Sequence, residues 1–328
     1  MEARPGPSGR REDAAVVICA YTLDRWDDLR AAVASVQAQS PPPQQIIVVI
    51  DHNEALRQRA EREIEGVVVV ANRHTPGVAG GRITGARLVT APFIVFLDDD
   101  AIAEPGWLDA LLKENENFQI LGVGGHIEPL WREPPPSWFP FEFNWVVGCT
   151  YAGMPIYDGQ VRNVISSNMS VRTEVFRRVG NFATKLGHRA AGGAVIGVVA
   201  ESCEDTEFCI RASRLHPGGV WMHCPAARVR HVVPPQRTTW RYFVRRCGME
   251  GTAKAVMTGL TGTRDGLRSE RRYTFFLVGA VWRYLLKGEF RRAAAVCAGF
   301  SITVAAYARA RLARAMVRQN LAETMPVS

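Results

Sequence analysis

The sequence predicts an α/β fold: a Rossmann-like, mostly parallel sheet with flanking helices, followed by a helical C-terminal extension. Three observations carry this. Short, continuously apolar runs at 14–21, 45–50, 67–71 and 92–97 have the composition of strands buried on both faces. Amphipathic or glycine-rich segments of helical length separate them. Two of the runs end in carboxylates, Asp51 and Asp98-Asp99-Asp100. Strand carboxyl ends are where open α/β sheets bind ligands.

The elements follow in order. Residues 1–13 are polar and rich in Pro, Gly and Arg, which predicts a disordered lead. Strand 14–21 precedes a helix over 27–37 that carries acids in its first turn, and Pro41-Pro42-Pro43 ends it. Strand 45–50, a charged helix over 55–65 and strand 67–71 come next. A glycine-rich helix over 76–90 leads to the strand that ends at Asp98. After Gly124-Gly125 the alternation stops. Segment 129–145 is long, proline-rich and aromatic, which predicts a functional loop or a flap over the core. Strands over 164–171, 220–222 and 227–232 and helices over 204–215 and 238–258 complete the chain to the tail. The domain division is a catalytic unit over 14–260, with a nucleotide half (14–125) and an acceptor half (126–260), and a basic amphipathic helical tail over 261–328.

Composition narrows the function. Hydrophobic content of 47% and charged content of 22% are ordinary for a globular protein. Seven scattered cysteines with no C-x-x-C pair argue against a disulfide framework or a cysteine zinc site, and suit a reducing cytoplasm. The net charge of +8 is placed unevenly. Residues 264–328 hold twelve Lys/Arg against four Asp/Glu, so the tail carries the whole excess. That asymmetry points to an acidic partner, a membrane surface or nucleic acid. No nucleic-acid-binding motif is recognisable, which leaves the anionic membrane surface.

Three adjacent carboxylates at a strand end repel one another unless something neutralises them. A hard divalent cation, Mg²⁺ or Mn²⁺, sharing a substrate phosphate would do so, and a solvated turn is the plainer reading. Asp51 lies at the same sheet edge, where a lone acid also serves as a cap. Glu204 and Asp205 open a helix, where acids either cap it or act as a general base. His231 is a candidate third metal ligand or a structural histidine.

In this order, these segments resemble the family-2 inverting glycosyltransferases of the GT-A fold. The matching residues are 16–22, 46–51, 77–85 with Arg82, 96–101, Ser167-Asn168-Met169-Ser170, Glu204-Asp205 and 240–251. The resemblance covers about 14–255. It implies that Asp51 recognises the nucleotide base, and that Asp98 contacts the ribose or the metal shell. Asp100 would ligate the metal on the diphosphate, Arg82 would face the nucleotide or its phosphates, and Asp205 would be the catalytic base. Thr22, Asp99, Glu204 and Asn168 fall in matching segments and are assigned to substrate binding. Family members usually have Arg-Asn where this chain has Arg82-Ile83, so the polar contact of that Asn is in doubt. Processive members carry Q-x-x-R-W, which the segment from Gln236 to Arg241 only echoes, so transfer of a single sugar is expected.

The implied partners are a nucleotide-sugar donor and a glycan or polyprenyl-linked acceptor. Trp138 and Trp145, in the aromatic loop, are expected to line the acceptor side. Two other readings stand beside this one. A sugar nucleotidyltransferase would open with a glycine-rich basic loop after strand one, where this chain has Ala20-Tyr21-Thr22-Leu23-Asp24-Arg25. A non-catalytic nucleotide-sugar-binding protein is the other. A dinucleotide dehydrogenase lacks its G-x-G-x-x-G here. In the tail, the apolar stretches 273–286 and 293–308 fall short of the roughly 20 apolar residues that span a bilayer. The tail is therefore expected to lie in the interface of an anionic membrane at its cytoplasmic face, or to pack on the catalytic unit or on a second copy in a homodimer.

Overall fold

The computed structural model describes residues 13–113, 116–183, 203–262 and 268–324, so all but the last residue of the predicted lead lies outside it. Strands β1 (Ala14–Ala20), β2 (Gln45–Ile50), β3 (Val68–Ala71) and β4 (Phe93–Asp98) lie in the order 3-2-1-4, all parallel. Helices α1 (Trp26–Gln37), α2 (Glu54–Glu63) and α3 (Val78–Ala86) connect them. Alternate strand residues feed cores on the two faces: Val16 and Ile18 pack into one, Ala15 and Val17 into the other. This is why the strands are apolar without alternation. The glycines of α3 let it lie flat on the sheet. A Cβ on Gly85 would stand 2.4 Å from Val17 Cγ1.

The second half of the sheet is mixed. β8 (Asn168–Arg172) runs antiparallel to β4 and to β6 (Ile120–Trp131). The long β9 (Val220–Val233) runs parallel to β6 and antiparallel to the short β5 (Ala101–Ala103) and β7 (Gly159–Val161). The strands expected at 220–222 and 227–232 are therefore one. A register shift between Cys224 and Arg228 absorbs Pro225, which has no N–H for the ladder. Helices α4 (Trp107–Leu112), α5 (Thr173–Val179) and α6 (Glu204–Leu215) cover this half. Two consequences of the topology matter for function. β5 starts directly after Asp100, and its pairing of Ala101 with His231 sets that histidine opposite the acid triplet. β4 and α6 bring Asp98 and Glu204 onto the two carboxylate-binding ends of one arginine, Arg82.

The aromatic segment begins as strand and ends in a 3-10 helix over Phe141–Val147. It packs on α7 (Trp240–Thr261): the Trp138 ring meets Trp240 at 5.0 Å and Phe243 at 5.5 Å. The tail forms α8 (Arg268–Leu286) and α9 (Phe290–Thr324). α9 approaches α7 so closely that a Cβ on Gly251 would lie 2.2 Å from the Thr303 carbonyl oxygen. Arg314 Nη1 donates to the Ala255 and Val256 carbonyls at 3.0 and 3.2 Å. The tail thus packs on α7. The expected shortfall in apolar length is corrected by the unbroken course of α9. Its stretch Phe290–Ala315, 26 residues, is long and apolar enough to cross a membrane by length and composition, although part of it is buried against the protein.

α8 is anchored by Glu142, a fully buried carboxylate. Its oxygens accept from Arg283 Nη2 at 2.6 Å and Tyr284 Oη at 2.8 Å, and its carbonyl accepts from Tyr273 Oη at 2.5 Å. Glu142→Ala removes the acceptor of Arg283 and Tyr284, leaving the backbone carbonyl to Tyr273, and should cost about 2–3 kcal/mol. Urea unfolding should show that loss, and hydrogen exchange should show faster opening of α8. Wild-type stability with unchanged α8 protection would remove Glu142 as the anchor.

Candidate active site

A cavity of about 1020 Å³ lies between the carboxyl ends of the parallel strands and the helices α6 to α9. Its floor is the acid triplet, in the turn between β4 and β5. Asp99 and Asp100 are buried, and Asp98 is partly open to the cavity. Four cations offset the three carboxylates. Arg25 Nη1 bridges Asp99 Oδ1 at 2.9 Å and Asp100 Oδ2 at 3.0 Å. Arg82 Nη2 donates to Asp98 Oδ1 at 2.8 Å. His231 Nε2 stands 3.1 Å from Asp100 Oδ1, and Arg237 Nη2 stands 3.8 Å from Asp100 Oδ2.

Each shift follows from this arrangement. Burial alone would raise the Asp100 pKa, but His231 and Arg25 hold it well below the carboxylate range. Burial would lower His231, but Asp100 holds it well above 6.5. Asp99, desolvated and beside Asp100, is pushed up to about 7, and its Oδ2 is buried without a partner among the described residues.

The ligand atoms of Asp98, Asp100 and His231 lie within 4.8 Å of one another, close enough to share one cation. Two carboxylates and an imidazole suit a hard-to-borderline divalent ion.

The nucleotide side is built by β2 and α3. Asp51 is buried and lines the cavity. Its Oδ1 accepts from Asn72 Nδ2 at 2.6 Å and its Oδ2 from the Gly77 N–H at 2.8 Å. Gly77 enters α3 at φ +121°, a conformation open to glycine. Arg82, one turn into α3 and buried, bridges Asp98 and, through Nη1, Glu204 Oε1 at 3.1 Å. Glu204 and Asp205 begin α6 in the facing wall. Burial, reinforced by Asp205, pushes Glu204 up to about 7 against the pull of Arg82. Burial also raises Asp205, opposed by the Ser166 N–H at 3.2 Å and the Thr206 N–H at 2.6 Å. A raised carboxylate that still faces the cavity is a better proton acceptor than an exposed one.

The structure brings together Asp51, Arg82, Asp98, Asp99, Asp100, Trp145, Glu204, Asp205 and His231 around this one cavity. Three expected binding residues, Trp138, Asn168 and Thr22, are not among the residues that line it. Trp138 is outside the cavity wall and half-buried, its ring in contact with Phe139, Trp240 and Phe243. Asn168 is fully buried: its Oδ1 accepts from Trp107 Nε1, and its Nδ2 donates to the His126 and Ala227 carbonyls, so little remains for a substrate. Thr22 caps a 3-10 turn through the Asp24 N–H. Sequence reasoning missed Arg25 and Arg237. Arg25 follows strand one, and its position at that strand's carboxyl end was the available signal. It also missed the buried network in which Glu270 joins Arg162 (2.8 Å) and Lys254 (2.8 Å).

Comparison with known proteins gives this geometry a family. Residues 15–180, half of the chain, match the family described as Glycosyl transferase family 2. A glucosyl-dolichyl phosphate glucuronosyltransferase from Haloferax volcanii is 33% identical over 246 residues, covering 74% of this chain and 76% of that protein. Polypeptide N-acetylgalactosaminyltransferase 15 from Mus musculus is 30% identical over 115 residues, covering 33% of this chain and only 18% of that protein. Among solved structures, GalNAc-T7 with UDP, GalNAc and Mn²⁺ superposes with a TM-score of 0.51 at 15% identity. The match covers 76% of this chain and 50% of that one, a likeness of fold.

If Asp100 and His231 hold a cation, the ion must displace the proton that Asp100 keeps on His231. Apparent Mn²⁺ affinity, followed by the EPR signal of the free ion, should therefore rise between about pH 6 and pH 8. It should fall at least ~10-fold in Asp100→Asn. Affinity that ignores both pH and the substitution would place the ion elsewhere.

Proposed function

The chain belongs to glycosyl transferase family 2, and on that premise we propose that it moves one sugar from a nucleotide-sugar to a hydroxyl of a lipid-linked glycan acceptor, with inversion at the anomeric carbon. The observation that carries this reading is the pairing of two acidic sites across one cavity. Asp98, Asp100 and His231 stand on the strand side, and Glu204 and Asp205 stand at the start of α6. The nucleotidyltransferase and dehydrogenase readings fall with the family assignment.

In this proposal Asp51 and the α3 entrance hold the nucleoside, and Arg82 keeps Asp98 and Glu204 in register. Asp98, Asp100 and His231 would hold Mg²⁺ or Mn²⁺, which when bound neutralises charge growing on the departing diphosphate. Arg25 and Arg237 add fixed positive charge beside it. Asp205, kept basic by burial and oriented by two backbone N–H groups, takes the proton from the acceptor hydroxyl as it attacks. Attack from the α6 side opposite the leaving group inverts the centre in a single displacement.

A lipid-linked acceptor is supported by the dolichyl phosphate in the archaeal relative's name and by the cavity's lining. Leu277 of α8 and Phe300 and Val304 of α9 extend the wall from the polar floor towards the tail. The outer face of α8 exposes Phe275, Val278, Trp282 and Leu286, at the spacing of one helical stripe, and Phe290 follows. Arg272, Lys287 and Arg291 flank it. Apolar side chains rimmed by cations suit the interface of an anionic bilayer. We place the protein there as a peripheral enzyme at the cytoplasmic face.

Asp205→Asn keeps the shape and removes the base. It should lower kcat by about 10²–10⁴-fold while leaving donor affinity nearly unchanged, and NMR of the wild-type product should show the inverted anomer. Collapse of donor affinity would move Asp205 to the donor site, and a retained anomer would end the single-displacement mechanism. Full-length protein should pellet with anionic liposomes at low salt and less at high salt. Phe275→Glu together with Trp282→Glu should leave it in the supernatant. Pelleting unaffected by that pair would exclude α8 as the contact.

A further inference from the structure

The cavity wall includes an arginine that the donor-side machinery does not use. Arg246 of α7 lines the cavity and is 9% exposed. Its Nε and Nη1 are buried and have no hydrogen-bond partner among the described residues. Four other arginines of this cavity face carboxylates: Arg25 faces Asp99 and Asp100, Arg82 faces Asp98 and Glu204, Arg162 faces Glu270 and Arg237 faces Asp100. A buried charged group left without partners is costly. Such a group persists where a ligand supplies the missing acceptors, and a guanidinium fork fits the oxygens of a phosphate.

The placement of Arg246 indicates which phosphate. Tyr242, Arg245, Arg246, Met249 and Glu250 all line the cavity, at the i, i+3, i+4, i+7, i+8 spacing of one helix face. Just before this face, Arg237 stands at Asp100, where the donor diphosphate is already served. One turn after Arg246, Glu250 Oε1 accepts from Cys203 Sγ at 3.7 Å, next to the Glu204–Asp205 pair. Across from Arg246's turn, α9 comes close to α7 at Gly251 and Thr303, and the wall turns apolar with Phe300 and Val304. Arg246 therefore sits where the acidic acceptor wall meets the apolar wall built by the tail. In a lipid-linked glycan the phosphate occupies that same junction, between the sugar and the hydrocarbon.

Resting on the lipid-linked reading above, we infer that Arg246 is the binding residue for the phosphate of the acceptor lipid. It is distinct from the groups that hold the donor diphosphate.

Thermal stabilisation of the full-length protein tests this with defined probes: geranyl phosphate, geraniol, inorganic phosphate, and whichever of UDP, GDP or dTDP with Mn²⁺ shifts the wild type most. A ligand that binds the native state raises Tm by mass action. Geranyl phosphate should stabilise the wild type, while geraniol and inorganic phosphate at equal concentration should do little. In Arg246→Gln the affinity for geranyl phosphate should fall at least ~10-fold and the nucleotide–Mn²⁺ shift should persist. Without ligand the variant's Tm should equal or exceed that of the wild type, because an unpartnered buried charge is gone. Should the Gln variant fail to fold, Arg246→Lys, which keeps the charge but loses the fork, should bind geranyl phosphate with intermediate affinity.

An undiminished geranyl phosphate shift in Arg246→Gln, or an undiminished one in Arg246→Lys where only that variant folds, would overturn the assignment. So would loss of the nucleotide–Mn²⁺ shift, which would make Arg246 a donor residue. An equal, Arg246-dependent shift from inorganic phosphate would make this a free-anion site. Failure of the donor reading would appear separately, as no nucleotide–Mn²⁺ shift in the wild type.

Discussion

The site depends on how this fold keeps three adjacent carboxylates ionisable at the end of a buried strand. Their mutual repulsion and desolvation would drive protons onto them or unravel the turn. The chain answers from four separate elements: Arg25 after β1, Arg82 on α3, His231 on β9 and Arg237 just beyond it. The compensation is uneven. Asp100 has the strongest partners and stays charged, whereas Asp99 keeps an unsatisfied oxygen and an elevated pKa. A site balanced in this way is not closed on itself. In the proposed reading, a cation takes the place of the proton held between Asp100 and His231.

Arg82 extends the same constraint across the cavity. By holding Asp98 with one nitrogen and Glu204 with another, it fixes the distance between the strand side and the α6 side. Local shape then follows from small residues. The glycines of α3 bring Arg82 down onto the sheet, and Gly77 turns the chain so that its N–H meets Asp51. The tail completes the enclosure, since Glu142 and the Arg162–Glu270–Lys254 network dock α8 where it can form part of the wall.

Most of the sheet was legible because buried parallel strands leave an unbroken apolar signature, and strand-end acids advertise the ligand edge. Asp51 and Asp98 to Asp100 could be found that way, and Glu204 and Asp205 as acids that open an amphipathic helix. The partners of those acids could not. Arg25, Arg237 and Arg246 are three among 36 arginines, and only the topology reveals which of them point inward. The surroundings of Trp138 and Asn168 were equally hidden: the first packs on α7, and the second hydrogen-bonds Trp107 and two carbonyls. The tail misled by length, because apolar stretches judged singly fall short, while the continuous α9 does not. Packing of the tail on the rest of the chain was one of the outcomes its composition left open; that α7 would receive it was not readable from charge.

The central claim is that the acid triplet and His231 form a cation site serving the donor diphosphate. The most direct test is a crystal of the full-length protein soaked with Mn²⁺ and a nucleoside diphosphate, with anomalous data collected at the manganese edge. The account predicts one strong peak bonded to Asp98, Asp100 and His231 Nε2, with the diphosphate completing the shell. A bound nucleotide with no such peak, and with His231 still on Asp100, would contradict it.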